Sequence, residues 1–119
     1  MADIRVLQAR ELMIRFADRT GLLSVRRPRR YLWTDAFAVC NFLALWQATG
    51  DEEHRDVALR LVEQVHRTLG QHRPEDPRAG WLSGLSDVGA AVHPTVGGLR
   101  IGKPLPELYD ERYRNSRYT

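Results

Sequence analysis

The sequence predicts an all-α fold in two layers, the arrangement of an αα-hairpin cut from a helical toroid or solenoid. Two observations carry this. Residues 36–46 are apolar at every position but Asn41, so the helix they form has no water-loving side. The segment that follows it across a three-residue turn is amphipathic, with one apolar stripe. An antiparallel pair in which one helix seeks burial all round and its neighbour on one side only is an inner helix beside an outer one.

Each element follows from local pattern. A first helix is expected over about 3–20, where Val6, Ala9, Met13, Phe16 and Ala17 recur at helical spacing and Gly21 follows as a stop. Residues 22–31 read as a basic connection interrupted by Pro28. The inner helix is expected over 35–49, with Thr34 or Asp35 capping its first N–H groups and Gly50 ending it. Burial on every side is expected for it, and Cys40 within it reads as an inert core thiol. The outer helix is expected over 52–69. Asp51 is its N-cap, Glu52 and Glu53 sit at the positive end of its dipole, and Ala58, Leu61, Val62, Val65 and Leu69 form its stripe. Beyond Gly70 the prolines at 74, 77, 94, 104 and 106 and six further glycines predict a long loop with no helix before Glu107 and short extended pieces near 99–101.

A chain of 119 residues fits one small domain, and 43% hydrophobic with 28% charged residues is the composition of a folding globular sequence. The single cysteine excludes an internal disulfide and cysteine-based zinc sites. His54, His66, His72 and His93 show no pairing at metal-ligand spacing, so no metal and no cofactor is expected. His54 and His66 fall on or beside a helix surface. No apolar run reaches the roughly 20 residues of a membrane span and no signal-peptide pattern opens the chain, so no membrane partner and a cytoplasmic location are expected. Net charge is +3, but the arginines are mostly interleaved with acids. The one true cluster, Arg26, Arg27, Arg29 and Arg30 around Pro28, has no nucleic-acid-binding motif beside it, and no nucleic-acid partner is expected.

Three constellations carry candidate chemistry. GGLRIGKP, at 97–104, differs from a phosphate-binding loop in having Pro104 where a hydroxyl is needed. Pro104 removes both the hydroxyl and an N–H, and Pro106 opposes the helix that must follow, so the segment reads as a rigid turn presenting Arg100 and Lys103. RYLWTD, at 30–35, sets Asp35 at the mouth of the inner helix with Arg30, Tyr31 and Trp33 beside it. Rings stack on the apolar faces of sugars while carboxylates and guanidinium groups bond their hydroxyls, so this is a candidate carbohydrate-facing edge. Trp81, in GWLSGL, is a candidate second platform, and His93 a loop histidine where binding groups collect. Each residue also has a plain structural reading: Asp35 as a first-turn carboxylate, the aromatics as packing, His93 bonded to backbone. Besides Asp35, Asp87 and Glu107 are the loop candidates for a second carboxylate, and no pattern pairs any two of them on a bond.

RRYLWTDAFAVCNFLALWQATGD (29–51) and GWLSGLSDVGAAVHPTVGGLRIGKPLPE (80–107) resemble a bacterial family of six-hairpin glycosidase-like proteins, and the likeness spans about 31–107. The resemblance implies an (α/α)6 toroid in which inner-helix N-termini and their loops line a carbohydrate-type cleft. Asp35 would be its catalytic carboxylate, and Arg30, Tyr31, Trp33, Trp81, His93, Arg100 and Lys103 its substrate-binding groups. A toroid has twelve helices where this chain offers about three, and LYDERYRNSRYT departs from the family. The resemblance therefore implies the N-terminal portion of such a protein, silent alone, whose missing neighbours are later hairpins. The alternative from the residues is a small helical interaction module that homo-oligomerises through its apolar helix.

Overall fold

The computed structural model describes residues 3–102; Lys103, Glu107 and the LYDERYRNSRYT segment lie outside the described residues. The fold is all-α. Three long helices, α1 (Ile4–Arg19), α2 (Leu32–Thr49) and α3 (Glu52–Leu69), are followed by a loop-rich stretch that holds one short helix, α4 (Asp87–Val92).

Helix α1 begins at Asp3, whose carboxylate accepts from the Arg5 N–H, and its stripe of Val6, Met13, Phe16 and Ala17 packs on the core. Helix α2 ends as expected: Gly50 takes the left-handed backbone (φ 72°), a conformation strained for residues with a side chain, to close the last turn, and its N–H bonds the Trp46 carbonyl. Asp51 caps α3 through the Glu53 N–H. The tight turn lays α3 antiparallel along α2, and α1 packs on α2 from another side. Phe42, Ala38 and Leu45 of α2 meet Val57, Ala58, Leu61, Val65 and Leu69 of α3 in one cluster, which Ala17 and Leu22 extend.

Four expectations are corrected. Helix α2 starts three residues early: Tyr31 is the N-cap, with no side-chain cap bond. Neither Thr34 nor Asp35 caps it from outside; Asp35 lies within the first turn and reaches back to accept the Tyr31 N–H at 3.0 Å. The long loop does hold a helix, because Ser86 caps a six-residue turn by accepting from the Gly89 N–H. No strand forms at 99–101. Arg100 N–H instead bonds the Leu69 carbonyl, and Ile101 receives the Leu32 N–H, so the backbone needs no partner strand. Finally, α2 is not buried on every side. Trp33, Ala36, Phe37, Cys40, Leu43 and Ala44 recur along one exposed face, and the Cys40 thiol is exposed with them. Only α1 and α3 are packed on α2 among the described helices, and two neighbours cannot surround it.

No helix among the described residues is long and apolar enough to cross a membrane, and those residues hold no group of three or more His, Cys, Asp or Glu that could bind a metal ion.

Candidate functional site

The start of α2 is built around a buried ion pair. The Arg30 guanidinium and the Asp35 carboxylate stand 3.6 Å apart with side-chain exposures of 0% and 1%. Arg30 comes from the connection, which turns back so that the Thr20 carbonyl at the end of α1 accepts from both the Arg29 N–H (2.8 Å) and Arg30 Nη2 (3.0 Å). The same guanidinium lies over the Phe16 ring at 5.9 Å. Arg30 thus binds the end of α1 to the beginning of α2. Burial pushes the Asp35 carboxyl above its ordinary range, opposed by Arg30 and by the Tyr31 N–H; burial likewise lowers Arg30, opposed by Asp35. Arg30 Nη1 and Asp35 Oδ1 have no hydrogen-bond partner besides this ionic contact.

A hollow of about 1000 Å³ opens beside the pair, between the end of α1, the connection, the start of α2 and the loops after α3. Arg30, Tyr31 and Arg100 line it, which brings three of the sequence-derived residues together. Asp35 lies behind that wall. Trp33 is half-exposed and meets Tyr31 edge-on, with ring centroids 6.3 Å apart. Arg100 donates Nε to the Gln71 carbonyl (2.6 Å) and Nη2 to the Thr68 carbonyl (2.7 Å), neutralising the negative end of α3 as well as facing the hollow. The GGLRIG segment does run beside RYLWTD. Gly102, at φ 88°, lies so close to the Arg30 carbonyl that a Cβ would stand 2.2 Å from that oxygen.

The remaining candidates lie elsewhere. Trp81 is buried beside Gly70 at the end of α3 and donates its indole N–H to Asp87 at 2.8 Å, so its ring is no open platform. Trp81→Phe, which keeps an aromatic ring and loses the donor, is expected to lower stability by about 1 to 2 kcal/mol in urea unfolding. His93 is exposed at the end of α4, its N–H bonded to the Gly89 carbonyl. His54, expected near a helix surface, is buried in the first turn of α3. Lys103 lies outside the described residues.

Sequence reasoning did not connect Arg19, Arg27, Arg29 and Arg73 with this end of the molecule, yet all four line the hollow. The signal for two of them was the Arg26–Arg30 cluster. Comparison with protein-family models, with curated proteins and with solved structures gave no match.

Proposed function

We propose that this chain is the first part of a six-hairpin glycosidase-like toroid, with α2 as an inner helix and α3 as its outer partner. Such a protein belongs to carbohydrate chemistry, and this portion is catalytically silent until further hairpins complete the cleft. The uncovered apolar face of α2 carries the reading. From Ala36 to Thr49 the helix has no charged residue, and Phe37 is 73% exposed on it. A helix that apolar, covered on two sides only among the described residues, has the form of an element awaiting more helices. The aromatic residues at its N-terminal end, Tyr31 and the half-exposed Trp33, support a sugar-facing edge there.

The same face favours one other reading, a helical module that docks a second copy of itself. Light scattering with thermal melting separates the two. A discrete dimer with a cooperative melt favours the module; a molten or aggregating monomer favours the portion of a toroid. Glycan-array binding that Trp33→Ala abolishes would support the sugar edge, and no binding to any glycan would sink it for this chain.

A further inference from the structure

We propose that the hollow at the start of α2 binds a small anionic ligand, a ring-bearing carboxylate or phosphate of about sugar size. The charge of its wall is the first ground. Arg19, Arg27, Arg29, Arg30, Arg73 and Arg100 line it, and among the described residues Glu75 is the one carboxylate that does. Even with Asp35 behind the wall, the positive excess here is larger than the +3 of the entire chain. Asp35 matches Arg30, and Glu75 pairs with Arg73 at 2.5 Å. Arg100 bonds the carbonyls of Gln71 and Thr68, and its charge also acts on Glu75. Arg19, Arg27 and Arg29 are exposed and form no ion pair with a carboxylate among the described residues. Like charges gathered on a concave surface repel one another and raise the local concentration of anions. An anionic ligand relieves that repulsion.

The second ground is polar capacity inside the wall. Arg30 lines the hollow with its side chain fully buried, and its Nη1 has no hydrogen-bond acceptor. Its one charged neighbour, Asp35 Oδ1 at 3.6 Å, is too far for a charge-assisted hydrogen bond, so that donor capacity is unspent, and a ligand meets the exposed Arg27 and Arg29 before it.

Size and lining set the rest of the ligand. A hollow of about 1000 Å³ is far larger than an inorganic ion needs. Tyr31 and Phe37 line it with aromatic rings, and the Thr20 and Thr34 hydroxyls, which donate to the Phe16 and Tyr31 carbonyls, keep lone pairs to accept from a ligand. A ring that carries its own hydroxyls and one acidic group uses all of these. The assignment deepens the proposed function by naming a ligand class for the end of α2 that would face the toroid's cleft. Its test reads anion binding, whereas the toroid reading is tested by oligomeric state, so either can fail without the other.

The experiment is calorimetric titration of the chain, at low salt, with glucuronate, glucose 6-phosphate, glucose and inorganic phosphate. The same titrations are run on Arg27→Gln/Arg29→Gln, whose circular dichroism should match the parent because both side chains are exposed. We expect at least one sugar anion to bind about tenfold or more tighter than glucose, to weaken by about tenfold in the double variant, and to weaken again as salt is raised. Glucuronate alone binding identifies a carboxylate ligand, and glucose 6-phosphate alone a phosphate. The proposal is overturned if glucose binds as well as the anions, if the double variant binds unchanged, or if none of the four binds. It is equally overturned if inorganic phosphate binds as tightly as the sugar anions, or if only a mixed-sequence DNA oligonucleotide added as control binds, which would point to nucleic acid.

Discussion

Arg30→Met is expected to destabilise the chain by about 3 to 5 kcal/mol, read as the loss of unfolding free energy in urea at neutral pH. The variant leaves the Asp35 carboxylate in a site with 1% exposure and no opposing charge, and it removes the guanidinium bond to the Thr20 carbonyl. Asp35→Asn should cost a comparable amount by stranding the cation instead. The combination Arg30→Met/Asp35→Leu should be more stable than either single variant, because removing both charges removes the desolvation cost along with the attraction. Strict additivity would refute the coupling. Acid should rescue Arg30→Met in part. The folded Asp35 carboxyl already lies above 3.8 because burial disfavours its charge, and losing Arg30 moves it further up. A carboxyl that holds its proton more tightly when folded favours folding fully below its ordinary value, and that contribution fades as pH rises through the folded one. The deficit of the variant should therefore shrink as pH falls.

Phe42→Ala is the second large effect, about 3 to 5 kcal/mol, the cost of a cavity where a ring had filled the space between α2 and α3. Phe42 is 2% exposed in the middle of that interface. Against a typical domain stability of about 5 to 15 kcal/mol this is a large fraction, and it is read as a lower midpoint of urea unfolding. Phe37→Ala, on the exposed face of the same helix, should stay within about 0.5 kcal/mol in dilute solution. A Phe37→Ala penalty that grew with protein concentration would mean that a second copy covers that face, the module reading above.

The pattern of apolar residues revealed the helices well, and their chemistry less well. The stripes of α1 and α3 and the Gly50 turn were legible because they depend on neighbours three or four residues away. The start of α2 was not, since Tyr31 has no capping side chain and the stabilising carboxylate, Asp35, works from inside the helix. The exposed Cys40 and Phe37 were misplaced for a different reason. Apolarity on every side states what α2 requires, and the two packed helices are what it receives. Of the candidate site, proximity along the chain found Arg30, Tyr31, Trp33 and Asp35, but could not tell that Arg30 and Asp35 are turned inward on each other. Arg73 and Arg100 reach the same hollow only because the loops after α3 return to the beginning of α2, a meeting that no local pattern records.

The return of that loop also shapes how the chain assembles. An isolated αα-hairpin is closed at its turn and open at the other end, where it unzips. Here the open end is strapped, with Arg100 N–H bonded to the Leu69 carbonyl and Leu32 N–H to the Ile101 carbonyl. Bridging the two helix ends makes a short-range motif depend on contacts between residues far apart in sequence. The α2–α3 pair is free to form first and quickly, while the strap must wait for a long loop to close against its entropy. Opening the folded hairpin from that end in turn requires the strap to be released first.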